Sequence, residues 1–269
     1  MKRLLSALTI LFVLLLAACS NSDSDGGAEE TDTSAEANDE KTEIIVGIDD
    51  TFAPMGFRDE DNEIVGFDID FARAVVEEMD KEITFQPIDW SAKESELNSG
   101  RIDLIWNGYT ITEERAEKVL FTDPYLENTQ VIATLIESEI NELTDLAGSD
   151  VGVQAQSSAV NALNDSPIRD EIAELHEYKT NVLALQDLSN GRVDAVVIDE
   201  VAVDYYMTIE PDKFRLLEES LAPEQYAVGV KQGNEALLEE LQAAIDAVIE
   251  NGAAAEISEK WFGEEKVLK

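Results

Sequence analysis

The chain holds one cysteine, one histidine, 6 prolines and 14 glycines in 269 residues, and sets 19 lysines and arginines against 59 aspartates and glutamates. Each shortage excludes a class of protein. With Cys19 as the only cysteine, the folded part has no disulfide, unlike a small stapled scaffold. The low glycine and proline counts beside a hydrophobic fraction of 44% exclude collagen-like and wholly disordered chains. A formal net charge of −40 repels nucleic-acid phosphates and anionic membrane surfaces, so no nucleic-acid partner is expected. The lone His176 has no catalytic company. There is no Gly-x-Ser-x-Gly elbow, no phosphate loop and no tight Asp-x-Asp-x-Asp-Gly calcium loop; the acidic run 59–63 reads as a hairpin turn. The reading is therefore of a non-enzyme that needs neither metal nor cofactor.

What is present begins with an address. Lys2 and Arg3 precede an apolar run over 4–18, shorter than the roughly 20 residues that span a bilayer, which reads as a secretory signal peptide over 1–18. It ends in Leu16-Ala17-Ala18-Cys19, which resembles the bacterial lipobox. There the cysteine is diacylated and becomes the mature N-terminus, and two acyl chains anchor far better than one. After Cys19, the segment to residue 42 has no hydrophobic period and eight acids against Lys41; it reads as a disordered acidic tether. The other acids are spread along the chain, which favours a solvated surface suited to saline surroundings over a basic partner.

From residue 43 the pattern becomes strand, helix, strand. A β-branched run over 43–48 is followed by apolar residues at helical spacing over 67–79, and such alternation implies parallel sheets. The stretch Leu97-Asn98-Ser99-Gly100-Arg101-Ile102-Asp103-Leu104-Ile105-Trp106 is echoed by Leu188-Ser189-Asn190-Gly191-Arg192-Val193-Asp194-Ala195-Val196-Val197. Both read as a helix stopped by glycine and then a strand buried on both faces. The echo suggests two comparable lobes. In open α/β sheets ligands sit beyond the carboxyl ends of strands, which singles out Asp49, Asn107 with Gly108, and Asp199.

At the level of motifs the sequence resembles the solute-binding proteins of bacterial polar amino-acid ABC importers, from about residue 44 to 263. The resemblance is carried by Val46-Gly47-Ile48-Asp49, Ala53-Pro54-Met55-Gly56-Phe57, Gly66-Phe67-Asp68-Ile69-Asp70, Gly108-Tyr109-Thr110-Ile111-Thr112-Glu113-Glu114-Arg115, Phe121-Thr122-Asp123-Pro124-Tyr125, Val151-Gly152-Val153-Gln154 and Lys260-Trp261-Phe262-Gly263. Met55 stands where such proteins usually carry Phe, and Ser158 where close glutamine-binding relatives have Gly. The resemblance implies a type II periplasmic-binding-protein-like α/β fold, with two lobes joined by two hinge strands around a ligand cleft. Lobe 1 would comprise 43–127 and 228–269, lobe 2 would comprise 128–227, and the hinges would fall near 129–133 and 223–228.

A free amino acid presents a carboxylate, an ammonium group and a side chain. By family position Arg115, offering a bidentate guanidinium beside the helix cap Thr112, would take the carboxylate; the bland alternative is that it only pairs with Glu113, Glu114 or another of the many acids. Asp199 would take the ammonium, or serve as a helix cap. Thr110, the Gly108 backbone, Ser157 and Ser158 would complete the head-group shell. Phe52 and Trp90 would sandwich the side chain, and Asp49 would meet an amide or cationic group. Gln154 stands where some glutamine-binding relatives have lysine, which ranks acidic ligands low and puts glutamine or a basic amino acid ahead. The resemblance further implies a permease with its ATPase as partner, an extracytoplasmic lipid-anchored location and a monomer. The alternatives are a cleft enzyme of the same fold, such as a cyclohexadienyl dehydratase, for which Glu200 is the one candidate acid, and a sensing module attached to an output domain.

Overall fold

The structure, a computed structural model, describes residues 42–269. The signal peptide, Cys19 and nearly all of the tether lie outside the described residues. All elements below, with their cores, lie within 43–269, and no helix among them is long and apolar enough to cross a membrane.

Strand β1 (Glu43–Ile48) buries Ile44, Val46 and Ile48. A small antiparallel sheet follows, formed by β2 (Thr51–Phe52), β3 (Gly56–Arg58) and β4 (Ile64–Val65). Its acidic loop is a turn, as expected, because Asp59 Oδ1 accepts from the Asp61 and Glu63 N–H groups. Helix α1 (Phe67–Glu78) buries Phe67, Ile69, Phe71, Ala72, Val75 and Val76. Its start is held by the preceding loop, whose Pro54 and Met55 carbonyls accept from the Phe67 and Asp68 N–H groups. Gly66 is required there: its φ is 143°, and a Cβ would fall 2.2 Å from the Met55 carbonyl oxygen.

The chain continues through β5 (Glu82–Pro87), α2 (Lys93–Ser99), β6 (Leu104–Ile105), α3 (Glu113–Ala116) and β7 (Val119–Phe121). A second region holds β8 (Leu126–Leu135), β9 (Asp150–Gln154), α4 (Ser158–Asp165), β10 (Glu174–Tyr178), α5 (Asn181–Ser189), β11 (Ala195–Asp199), α6 (Glu200–Ile209), β12 (Phe214–Leu216) and β13 (Ala222–Tyr226). The chain then returns as β14 (Gly229–Lys231), α7 (Glu235–Glu250) and α8 (Ala253–Phe262). The first sheet has the order β5-β1-β6-β14-β7, and the second β10-β9-β11-β8-β12 with β13 also on β8. In each, the three strands joined through helices are parallel, while the strands contributed by the crossings are antiparallel. The link between the sheets is an antiparallel ribbon in which Leu126 faces Tyr226 and Gln130 faces Ala222. Of residues 129–133, Thr129 and Gln130 pair with β13 in this ribbon, and 130–133 pair with β11 in the second sheet.

The internal echo has a structural meaning. Helices α2 and α5 each end before a glycine in the left-handed region, Gly100 at φ 76° and Gly191 at φ 65°. The aspartate that follows then clamps a neighbouring strand. Asp103 donates its N–H to the Ile45 carbonyl at 2.7 Å and accepts the Ile45 N–H on Oδ2 at 2.8 Å; Asp194 does the same with Asp150, at 2.8 and 2.9 Å. The repeated sequence thus sets the register of β6 on β1 and of β11 on β9.

An aromatic cluster packs α1 against the first sheet. The Phe71 ring lies 5.8 Å from Phe67, 5.5 Å from Trp106 and 5.6 Å from Tyr125, the last two edge-on. Phe71→Ala is expected to cost about 3–5 kcal/mol through lost burial and the cavity left behind, measured as a lower urea midpoint.

Candidate ligand-binding site

The carboxyl ends of β1, β6, β9 and β11 face one crevice, as an open α/β sheet requires. Ten residues line it: Asp49, Phe52, Trp90, Asn107, Gly108, Arg115, Gln154, Ser157, Ser158 and Asp199. Gly108 must be glycine, since its φ is 57° and a Cβ would meet the Phe52 ring at 2.6 Å. Its N–H donates to Asp68 Oδ2 at 2.7 Å, and Tyr125 donates its hydroxyl to Asp68 Oδ1 at 2.8 Å, so α1 fixes the loop after β6.

Arg115 reaches the crevice from α3, whose cap is Thr112: the Thr112 hydroxyl accepts the Arg115 N–H at 3.1 Å. Arg115 as a whole is 6% exposed. Nη1 donates to the Thr110 carbonyl at 2.8 Å, Nη2 to the Gln156 carbonyl at 3.2 Å, and the group lies 4.6 Å above the Tyr109 ring. It makes no salt bridge among the described residues; Glu114 pairs instead with Lys118. Two carbonyls occupy two of its five N–H groups, which leaves donors for an anion.

Asp199 closes β11 and stands at the start of α6, yet its side chain makes no capping bond. Three donors converge on Oδ1: Asn128 Nδ2 at 2.8 Å, Gln130 Nε2 at 2.9 Å and the Tyr226 hydroxyl at 2.6 Å. None of these reaches Oδ2. Asn128 and Gln130 also donate to Glu224 Oε2, at 3.1 and 3.0 Å. Burial first, and then the Glu224 charge, push the Asp199 pKa up to about 7. A cation beside the pair would restore ionisation.

The third corner is Asp49. Oδ1 accepts from the Thr51 N–H and hydroxyl at 3.0 and 2.7 Å, and Oδ2 accepts across the crevice from Gln154 Nε2 at 2.7 Å. Asn181 Nδ2 donates to Gln154 Oε1 at 3.2 Å and fixes the amide's orientation. Burial raises the Asp49 pKa despite these bonds. Asn107 Oδ1 accepts the Asp49 N–H at 2.8 Å, while its buried Nδ2 has no partner. Phe52 and Trp90 are each 6% exposed and form apolar wall.

Among known proteins, the sequence model of the bacterial extracellular solute-binding proteins, family 3, matches residues 44–264. The chain belongs to this family. It is 29% identical over 228 residues to the L-cystine-binding protein TcyJ of Escherichia coli (strain K12), covering 83% of this chain and 84% of that one. It is 32% identical to the ABC transporter glutamine-binding protein GlnH of Bacillus subtilis (strain 168), over 98% of this chain and 99% of that one. Among solved structures, a substrate-binding protein of an ABC uptake transporter from Streptococcus pneumoniae with bound histidine shares 40% identity at a TM-score of 0.82, covering 85% of this chain and 95% of that one. The type II α/β architecture of this family is the fold expected from the motifs.

Of the eleven residues named from the sequence, ten line the crevice of this solute-binding protein. Thr110 lies beside it, its hydroxyl 3.1 Å from both Ser158 Oγ and Glu224 Oε2, and its carbonyl bound by Arg115. Glu200 lines a separate open groove with Glu127 and Glu224. His176 sits with Asp150 and Glu174 at the amino ends of β9 and β10, the only such group of possible metal ligands among the described residues, and the opposite end of β9 from Gln154. Asp68, Lys93, Asn128, Gln130, Gln156, Asn181, Glu224 and Tyr226 went unnamed. The one available signal was the polar run Glu127-Asn128-Thr129-Gln130 leading into the apolar 131–133 of β8.

Asp68 is fully buried, and burial pushes its pKa from 3.8 up to about 7. Between those values the unfolded chain releases this proton while the folded chain keeps it, so stability falls as pH rises from about 4 to 7. The loss is on the order of 4 kcal/mol at most. Urea midpoints at pH 4.5 and 7 should drop in the wild type and drop distinctly less in Asp68→Asn.

Proposed function

We propose that this protein is the substrate-binding component of an amino-acid ABC importer. The observation that carries the reading is a pair of opposite charges, Arg115 and Asp199, both 6% exposed, both lining one crevice and neither in an ion pair among the described residues. Buried charges without partners are costly; a zwitterion with its carboxylate at Arg115 and its ammonium at Asp199 Oδ2 relieves both. The ligand side chain then extends towards Asp49, Gln154, Phe52 and Trp90. An acceptor carboxylate and flat rings favour an amide, guanidinium or imidazole over a carboxylate. Relatives named for glutamine and cystine, and a histidine-bound structure, support this ligand class.

The β8–β13 ribbon serves as the hinge, and the ligand stabilises the shut form by touching both sheets. The protein works as a monomer, held outside the cytoplasmic membrane by lipid on Cys19, and delivers its ligand to a permease with its ATPase. Glu200, the acid that the dehydratase alternative requires, does not line this crevice.

The test is calorimetry on the chain from residue 20, stripped of carried-over ligand by unfolding and refolding, against the twenty amino acids and cystine. Selective binding of one or a few nitrogen-bearing amino acids is expected; silence across the panel overturns the reading. Arg115→Ala should weaken binding by about 2–5 kcal/mol, at least about 30-fold, because it truncates a buried charge-assisted contact. Asp49→Asn should reorder the preferred side chains more than it weakens the shared head-group affinity. An equal loss for every ligand would make Asp49 a scaffold residue only.

A further inference from the structure

Lys93, the first residue of α2, is 2% exposed. Its Nζ donates to the nearby Trp90 carbonyl at 3.2 Å and, across the crevice, to the Gln156 carbonyl at 3.0 Å. Arg115 Nη2 donates to that same carbonyl at 3.2 Å. Two cations carried by the first sheet's helices thus share one acceptor from the turn between β9 and α4. Gln156 has φ 57°, a left-handed conformation uncommon for any residue but glycine. Such a backbone persists where its surroundings over-determine it.

The arrangement is expensive for a lysine. Burial and the Arg115 charge lower its pKa to about 8, opposed by Glu94, whose carboxylate lies 3.4 Å away. The Trp90 ring, 5.1 Å from Nζ, offers cation–π attraction. An apolar side chain would fill the same space without the desolvation cost, so the charge has a use other than packing. The crevice residues that touch ligand in the reading above do not include Lys93. Its one bond to the opposite sheet is to the Gln156 carbonyl, so separating the two sheets at this point would break it.

We propose that Lys93 is a latch that retains the ligand by bonding the Gln156 carbonyl across the shut crevice. It is a positioning residue, acting on closure and through it on the rate of ligand release. The proposal rests on the importer reading only in taking the crevice to open and shut. The charged groups around Nζ are Glu94 on its own helix, Glu114 and Arg115 on α3, and Lys118 just beyond; Gln156 and Ser157 face it from the second sheet. Of the cations, Lys118 is held above its ordinary range by Glu114. Lys93 is therefore the group that loses its proton as pH rises through about 8, and the charge-assisted bond weakens as it does.

The experiment compares wild type, Lys93→Met and Lys93→Arg, each refolded free of ligand and checked by circular dichroism. L-Histidine, L-arginine and L-glutamine are the probes, with tryptophan fluorescence in a stopped-flow instrument as the signal. Lys93→Met should release the bound probe at least tenfold faster while associating within about twofold of wild type, and Lys93→Arg should recover most of the loss. Wild-type release should accelerate from pH 7 to 9, and Lys93→Met release should not show this added acceleration. Equal release rates and equal pH profiles would overturn the latch while leaving the importer reading intact. If none of the probes binds wild type, the importer reading for these ligands fails, and the latch is read by X-ray scattering without ligand. A larger radius of gyration in Lys93→Met supports it, and an unchanged radius overturns it.

Discussion

A buried guanidinium and a buried carboxyl group, kept apart and without an ion-pair partner among the described residues, constrain the rest of this molecule. Arg115 receives carbonyl oxygens and an aromatic face, and Asp199 receives amide and hydroxyl donors. Neither is neutralised by a neighbour, although the chain has 59 carboxylates with which an arginine could pair. Dipoles lower the cost of a buried charge without cancelling it. The site is therefore high in energy with respect to its own charges, and a solute carrying the complementary pair is the natural counterpart.

The two sheets build this condition by using one device twice. Each has a helix that stops at a left-handed glycine, an aspartate that clamps the adjacent strand, and a parallel strand ending at the crevice. One copy delivers Asn107 and Gly108, the other Asp199. The ribbon of β8 and β13 connects the sheets and also supplies Asn128, Gln130, Glu224 and Tyr226 around Asp199. The polar surroundings of Asp199 are thus built into the segment that joins the two sheets. The ribbon's geometry therefore sets the field at Asp199.

Much of the fold was legible in the sequence. Periodicity located β1 and α1, the glycine-stopped helices located β6 and β11, and the Thr112 cap located α3, because each of these depends on contacts within a few residues. The residues at strand ends were also legible, since strand direction alone puts them at the crevice. The pairing of β8 with β11 was not legible, because it joins residues far apart in the chain and leaves no local mark.

Residue types and their order thus determined two α/β sheets, a crevice at their carboxyl edges and the strand-end residues beside it, while the arginine and the aromatic rings followed from the family resemblance. Only the tertiary structure decided what each group is bonded to. It placed the Thr110 hydroxyl between Ser158 and Glu224, crossed the crevice with the Gln154–Asp49 bond, set Glu224 beside Asp199, and brought Lys93 onto the Gln156 carbonyl. The physical reason is that these partners stand from 25 to 114 positions apart. Their energies come from burial and mutual orientation, and neither exists until the two sheets face each other.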